Sequence, residues 1–218
     1  MWHTARMTHD YMQLMWEESA DMADLVGGLS EEEWNHDSLC AGWNVKAVIS
    51  HMVLGHTTPM PQMLGKVMKY GFNVDKASAE MSSQYGAAHS GAELAQQWAA
   101  VVANHTRKGI SKVIPGKAGF IDHLIHNQDM RRPLGKPRTV PEARLLAALE
   151  LLPSMGGAIG SKQRLAGLRV VATDVPWTAG DGPEVTGSGE AILMAASGRG
   201  AALADLSGPG VATLTSRI

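Results

Sequence analysis

From Met1 to about Gln163, apolar residues recur at three- and four-residue intervals, the spacing that lays one face of a helix against a core. In THDYMQLMWEESADMADL, residues 8–25, Met12, Leu14, Met15, Met22 and Leu25 follow this rule, and Gly27-Gly28 ends the run. A second helix is expected from Asn44 to Tyr70, broken around Pro59 and Pro61, because proline lacks an amide donor and crowds the preceding turn. Ser90 opens a third, through His105, with Glu93 at the spacing of a capping box. Gly119–Arg131 makes a fourth, stopped by Pro133 and Gly135. Val140–Met155 makes a fifth, with Pro141 suited to a first turn. Tyr70–Ala88 reads as a loop. Four or five such helices with short to medium connections predict a helix bundle.

After Gly156-Gly157 the pattern changes. Leu168–Thr173 has the β-branched content of a short strand, and residues 174–190 are dense in Gly, Pro and Asp, hence turns. Ala191–Ala196 and Ala201–Leu206 read as helical, and Val211–Thr215 as a final strand. The expected organisation is mainly α: a bundle over 1–160 and a small α+β appendage over 161–218.

Composition narrows the classes. Charged residues make up 18% and the net charge is −2, which argues against a broad nucleic-acid surface. No apolar run approaches the roughly 18–20 residues that span a bilayer. The opening MWHTARMTHDYMQ lacks an apolar signal core, so no export signal is expected. The single cysteine forms no internal disulfide and fits a reducing, cytoplasmic setting. Thirteen methionines against two phenylalanines suit irregular packing between helices, and a Met-rich surface would support a homodimer.

Candidate chemistry concentrates in the fourth helix. At about 100° per residue, Asp122, His126 and Asp129 fall within about 60° of one another. An acid and an imidazole four residues apart can converge on one cation, or simply pair on a solvated face. His123 and His126, three apart, are an alternative chelating pair. In the second helix Val45, Val48, Ile49, Met52 and Val53 form an apolar stripe. His51 flanks it, His56 lies nearer its middle, and the two point about 140° apart. One centre therefore takes one of them, and periodicity alone favours His56. Cys40 reads either as a thiolate activated at a helix start or, preferably, as a small apolar filler. No Cys-x-x-Cys pair, phosphate-binding loop or dinucleotide fingerprint is present.

Taken in order, Trp34, Ser38, Cys40, Gly42-Trp43, Val45 and His51, then DHLIHNQDMRRPLG (122–135), then Ala172-Thr173-Asp174, Trp177 and Gly198-Arg199 form a recognisable set. The chain resembles the mycothiol-dependent maleylpyruvate isomerase family, part of the DinB-like metal-binding bundles. That resemblance implies a DinB-like four-helix bundle with a divalent metal, usually zinc, held by His51, Asp122 and His126. It selects His51 over His56 and sets His123 aside. The better-known isomerase carries glutamate where this chain has Asp122. Asp129 would orient His126 from behind, and Arg199 would hold a substrate carboxylate. A fourth metal position would bind mycothiol as a thiolate, making an isomerase or S-transferase acting on a small electrophile. The alternatives are a non-catalytic metal-stabilised binding or regulatory module and a metal-dependent hydrolase. In the enzyme reading Cys40 is a bystander.

Overall fold

The computed structural model describes residues 9–157 and 159–218. The expected helix start at Thr8 and most of the segment read as lacking an export signal lie outside the described residues. Helix α1 spans Tyr11–Gly27, and the Asp10 carboxylate accepts from the amides of Met12 and Gln13. A short α2, Glu31–Asn35, follows a Ser30–Glu33 capping box. The Asn44 side chain caps α3, Val45–Thr57, and Pro59 separates it from α4, Met60–Lys69. Helix α6, Gly91–Ala103, starts at the expected Ser90–Glu93 box. Helices α7, Gly116–Arg131, and α8, Glu142–Leu151, complete the helical part.

One expected loop is a helix. Within 70–88, Val74–Ala88 forms α5, with the Asn73 side chain accepting from the Lys76 amide at 2.8 Å. Its buried positions are Ala77, Ser82 and Gly86, all small. A side chain at Gly86 would begin 3.1 Å from the Lys46 backbone, so α5 lies almost backbone-to-backbone on α3. Small residues leave no large-apolar rhythm to read.

After the one-turn α9 (Ser161–Arg164) comes a four-stranded sheet, in the order β2-β1-β3-β4. Its strands are β1 Arg169–Ala172, β2 Thr178–Ala179, β3 Glu184–Gly187 and β4 Leu206–Ser207. Strands β1 and β3 are parallel, with Val170 opposite Val185, and the outer pairs are antiparallel. Two pieces of a stretch read as turns are thus strands. Gly180 supplies the tight return: its φ is +74°, and a Cβ there would meet the Leu168 carbonyl at 2.2 Å. Helix α10 is Gly189–Ala196. The expected helix over 201–206 is a 3₁₀ stretch, Gly200–Asp205, leading into β4. The expected final strand is instead a helical turn, α11, Val211–Thr215. Residues 206–207 already occupy the sheet edge beside β3, and a helical turn buries Leu214. Strand propensity yields here to the burial of Leu214.

Helix α7 lies between two buried apolar clusters. Met22, Val48, Ile49, Met52, Leu94 and Trp98 pack around its C-terminal Met130, while its Ile121, Leu124 and Ile125 join Leu149, Val170 and Leu193. The second cluster ties the sheet and α10 to the helices. Between them runs an ionic network. Glu18 of α1 is fully buried and accepts from Arg138, Arg144 and Asn127, and Asp21 pairs with Arg138 and Arg144 at 2.6 and 2.8 Å. Replacing one member of such a network strands buried charge, at a cost of several kcal/mol. Glu18→Ala is expected to lower unfolding stability by about 3–5 kcal/mol, measured by urea denaturation. A loss under about 1 kcal/mol would mean that the two arginines re-solvate freely.

Candidate metal and thiol site

His51 of α3 and Asp122 and His126 of α7 come together in space, their donor atoms all within 4.8 Å of one another. The helix pattern places Asp122 and His126 one turn apart, with His126 Nε2 3.5 Å from Asp122 Oδ1. His51 and His126 stand edge to face, ring centres 5.2 Å apart, beside the Trp43 indole at 5.3 and 6.3 Å. The outer nitrogens are occupied. His51 Nδ1 lies 3.0 Å from Ser78 Oγ, and His126 Nδ1 lies 3.0 Å from Asp129 Oδ2. Each ring therefore turns Nε2 toward the shared centre, the orientation that outer-sphere partners impose on metal-binding histidines.

The donor set fits a divalent metal. Two imidazoles and a carboxylate are a common catalytic set, and tetrahedral bonds of 2.0–2.2 Å put neighbouring donors about 3.4 Å apart. The 3.5 Å between His126 Nε2 and Asp122 Oδ1 matches that edge. Cys40, His126 and Asp129 form a second compact group, but their atoms already bond to one another and to the Arg199 guanidinium. A cation placed there would face that positive charge, which disfavours it.

His56 and His123 stand apart from this centre. Both are buried, and their Nε2 atoms lie 3.2 Å from each other. His56 Nδ1 meets the Thr106 carbonyl at 2.7 Å, and His123 Nδ1 meets Ser19 Oγ at 2.7 Å. All four ring nitrogens have protein partners, and neither ring joins the group around Asp122 and His126. Helical periodicity was right that His56 points inward. It points to a hydrogen-bonded core pair.

Two residues make contacts beyond the expected ones. Cys40 packs partly buried against the α3–α6 cluster, and its thiol also donates to Asp129 Oδ2 at 3.0 Å and lies 3.5 Å from His126 Nδ1. The tight turn around Gly42 (φ +76°), closed by the Trp43 amide donating to the Cys40 carbonyl, aims it there. Arg199 makes a bidentate contact as expected, but with the chain's own Asp129, at 2.9 and 2.7 Å, and its third nitrogen donates to the Ser197 carbonyl. Ser78, on the helix the sequence hides, is the partner that sequence reasoning missed altogether.

Charge follows from these contacts. Burial, reinforced by His126, lowers His51 to about 4, so it is neutral. Burial works against protonating His126, but Asp122 and the bond to Asp129 raise it well above the ordinary histidine value. Burial likewise opposes ionising Asp129, yet hydrogen bonds from His126 and Arg199 lower it to about 2. A cation entering the centre must therefore displace a proton from His126 Nε2, the usual coupling of metal affinity to pH.

Fold and site together define a helix bundle carrying a small α+β C-terminal unit, with a two-histidine, one-carboxylate group in the bundle. Residues 15–108 match the family model described as the mycothiol maleylpyruvate isomerase N-terminal domain. Two crystal structures of the mycothiol-dependent maleylpyruvate isomerase, one of them a histidine-to-alanine mutant, share the fold with a TM-score of 0.57. They are 17% and 16% identical to this chain, and the alignments cover 92% of each chain. No curated protein matches the chain in a direct sequence comparison.

Asp129 gives a test by pH. Its lowered pKa contributes stability that is complete above the ordinary value of 3.8 and is lost as pH falls through about 2. The metal-free protein is expected to lose about 2 kcal/mol across that window. Arg199→Met should be less stable at pH 7 by about 3 kcal/mol and show a flatter acid limb, both read by urea unfolding at a series of pH values.

Proposed function

We propose that the chain is a metal-dependent enzyme that uses a low-molecular-weight thiol, mycothiol, in an isomerase or S-transferase reaction on a small electrophile. One observation carries this reading: His51, Asp122 and His126 turn three donors to one point in a bundle whose residues 15–108 match this family model, with Ser78 and Asp129 behind the imidazoles. The three residues would hold the metal and leave a fourth position open. When bound there, a zinc-type cation lowers the pKa of a coordinated thiol, so that the sulfur is a nucleophile near neutral pH.

The chain's own residues prepare that position. Asp129 accepts from His126 Nδ1, which fixes the tautomer whose Nε2 carries the lone pair. Ser78 holds the His51 ring in the matching orientation. Trp43 covers both imidazoles on one side and limits water there. Arg199 neutralises Asp129, so the carboxylate stays ionised and keeps orienting His126 while buried. The reactive sulfur arrives with the small molecule, and Cys40 donates its thiol proton to Asp129 in the supporting shell.

Metal analysis tests the premise. The wild-type chain is expected to carry about one zinc per chain, and His51→Ala and His126→Ala to retain less than about a tenth, since three-ligand sites rarely tolerate the loss of one. Unchanged zinc in both variants would sink the reading. The loaded protein should also accelerate conjugation of mycothiol to monochlorobimane, followed by fluorescence. No acceleration with zinc bound would leave a metal-stabilised binding module in its place.

A further inference from the structure

Beside His51 the bundle opens into a cavity of about 380 Å³ between α3, α4 and α5, a volume that suits a small organic molecule. Leu54, Met63, Leu64, Val67, Met81 and Ile110 line it. Its polar contributions come only from His51, Ser78 and Ser82, and the lining contains no lysine, arginine, aspartate or glutamate. The cavity therefore meets the candidate metal group through His51 and, apart from the hydroxyls of Ser78 and Ser82, presents mostly hydrocarbon. Its outer wall, α4, leaves Leu64 and Met68 more than half exposed, and Phe72 follows at 67% exposure.

We infer that this cavity binds the hydrophobic body of an uncharged electrophile and selects such substrates over small dicarboxylates. The inference rests on the proposed thiol chemistry for what happens next to His51, but the cavity's own preference is independent of it. An ionised carboxylate placed among these side chains, away from His51, would lose its hydration with no lysine or arginine of the lining to replace it. Arg199, which reaches the site through Asp129, already has both arms on that carboxylate. Arg107 is likewise engaged, by the carbonyls of Ser111 and Ile114. Each methylene taken into the cavity, by contrast, is worth about fourfold in affinity. Methionines at positions 60, 63 and 81 let the walls adjust to more than one shape, so selectivity is for polarity and size rather than outline.

Gly55 offers a clean way to close the space. It lies in α3 on the cavity wall, and a Cβ there would sit 3.6 Å from Ile110 Cγ2, an ordinary contact. Gly55→Leu thus fills the cavity while favouring the helix. The test uses the uncharged fluorophore N-phenyl-1-naphthylamine with the full chain. It should bind the wild type with about one site per chain, and binding to Gly55→Leu should fall at least about tenfold with the melting temperature kept or raised. The uncharged enone benzylideneacetone should displace the probe, and maleate dianion at equal concentration should not. His126→Ala disrupts the candidate metal group without touching the cavity lining, so probe binding there should stay within about threefold. That arm separates the two readings: lost zinc binding with retained probe binding condemns neither, and normal zinc content with no probe binding overturns only the cavity. The inference is overturned if the wild type fails to bind the probe or if Gly55→Leu binds it equally well. Displacement by maleate as effective as by the enone overturns it too, as does a dimer that forms over α4 and excludes the probe.

Discussion

A fully buried carboxylate has to find its partners inside the protein, and at Asp129 those partners determine how three distant segments meet. Its two oxygens accept from Cys40 in the turn before α3, from His126 one turn back on α7, and twice from Arg199 after α10. Its own backbone carbonyl accepts from Leu39 as well. Isolated in this position the charge would be prohibitive; with these donors it stays ionised and rigid. The orientation of His126 follows from that rigidity, and so does the seating of the C-terminal unit against the bundle.

Helix α7 can serve both ends because its faces are divided by type. The apolar positions Ile121, Leu124 and Ile125 take the side shared with α8 and the sheet, and Met130 reaches the cluster around α3 and α6. Asn127, Gln128 and Arg131 meet the charged network of α1 and the 131–140 loop. Glu190 of α10 joins this network through Gln128 and Arg132. A helix buried on so many sides has little room for a sequence-visible polar stripe, and its polar residues are interior ones. They are there because each has a specific partner.

That division explains what could be read in the sequence. The long helices were legible because Met, Leu and Val recur on one face and because Asn44, Ser90 and Pro59 mark starts and stops. Asp122 and His126 were legible as a pair because four residues make one turn. Helix α5 was not, since Ala77, Ser82 and Gly86 bury a face without a large side chain, and Ser78 was hidden with it. Arg199 and Cys40 were visible as residues, but their joint attachment to Asp129 depends on contacts across 70 and 89 positions, which no local pattern encodes. Choosing between His51 and His56 required the family resemblance. The 140° between them separates two different sites, and periodicity does not say which one is chemical.

The charge balance connects the site to the cavity beside it. As the chain stands, Asp122 and Asp129 are matched by protonated His126 and Arg199, and the cluster is neutral. On the proposed reading a divalent cation adds two positive charges, and His126 gives up one in losing its proton, so the cluster is left at plus one. One thiolate cancels that excess, whereas a neutral thiol or a water leaves the buried charge uncompensated. A dicarboxylate arriving after the thiolate would take the site to minus two next to a wall of methionine and leucine. On that reading an uncharged electrophile keeps the site neutral, which matches the mostly hydrocarbon lining of the cavity.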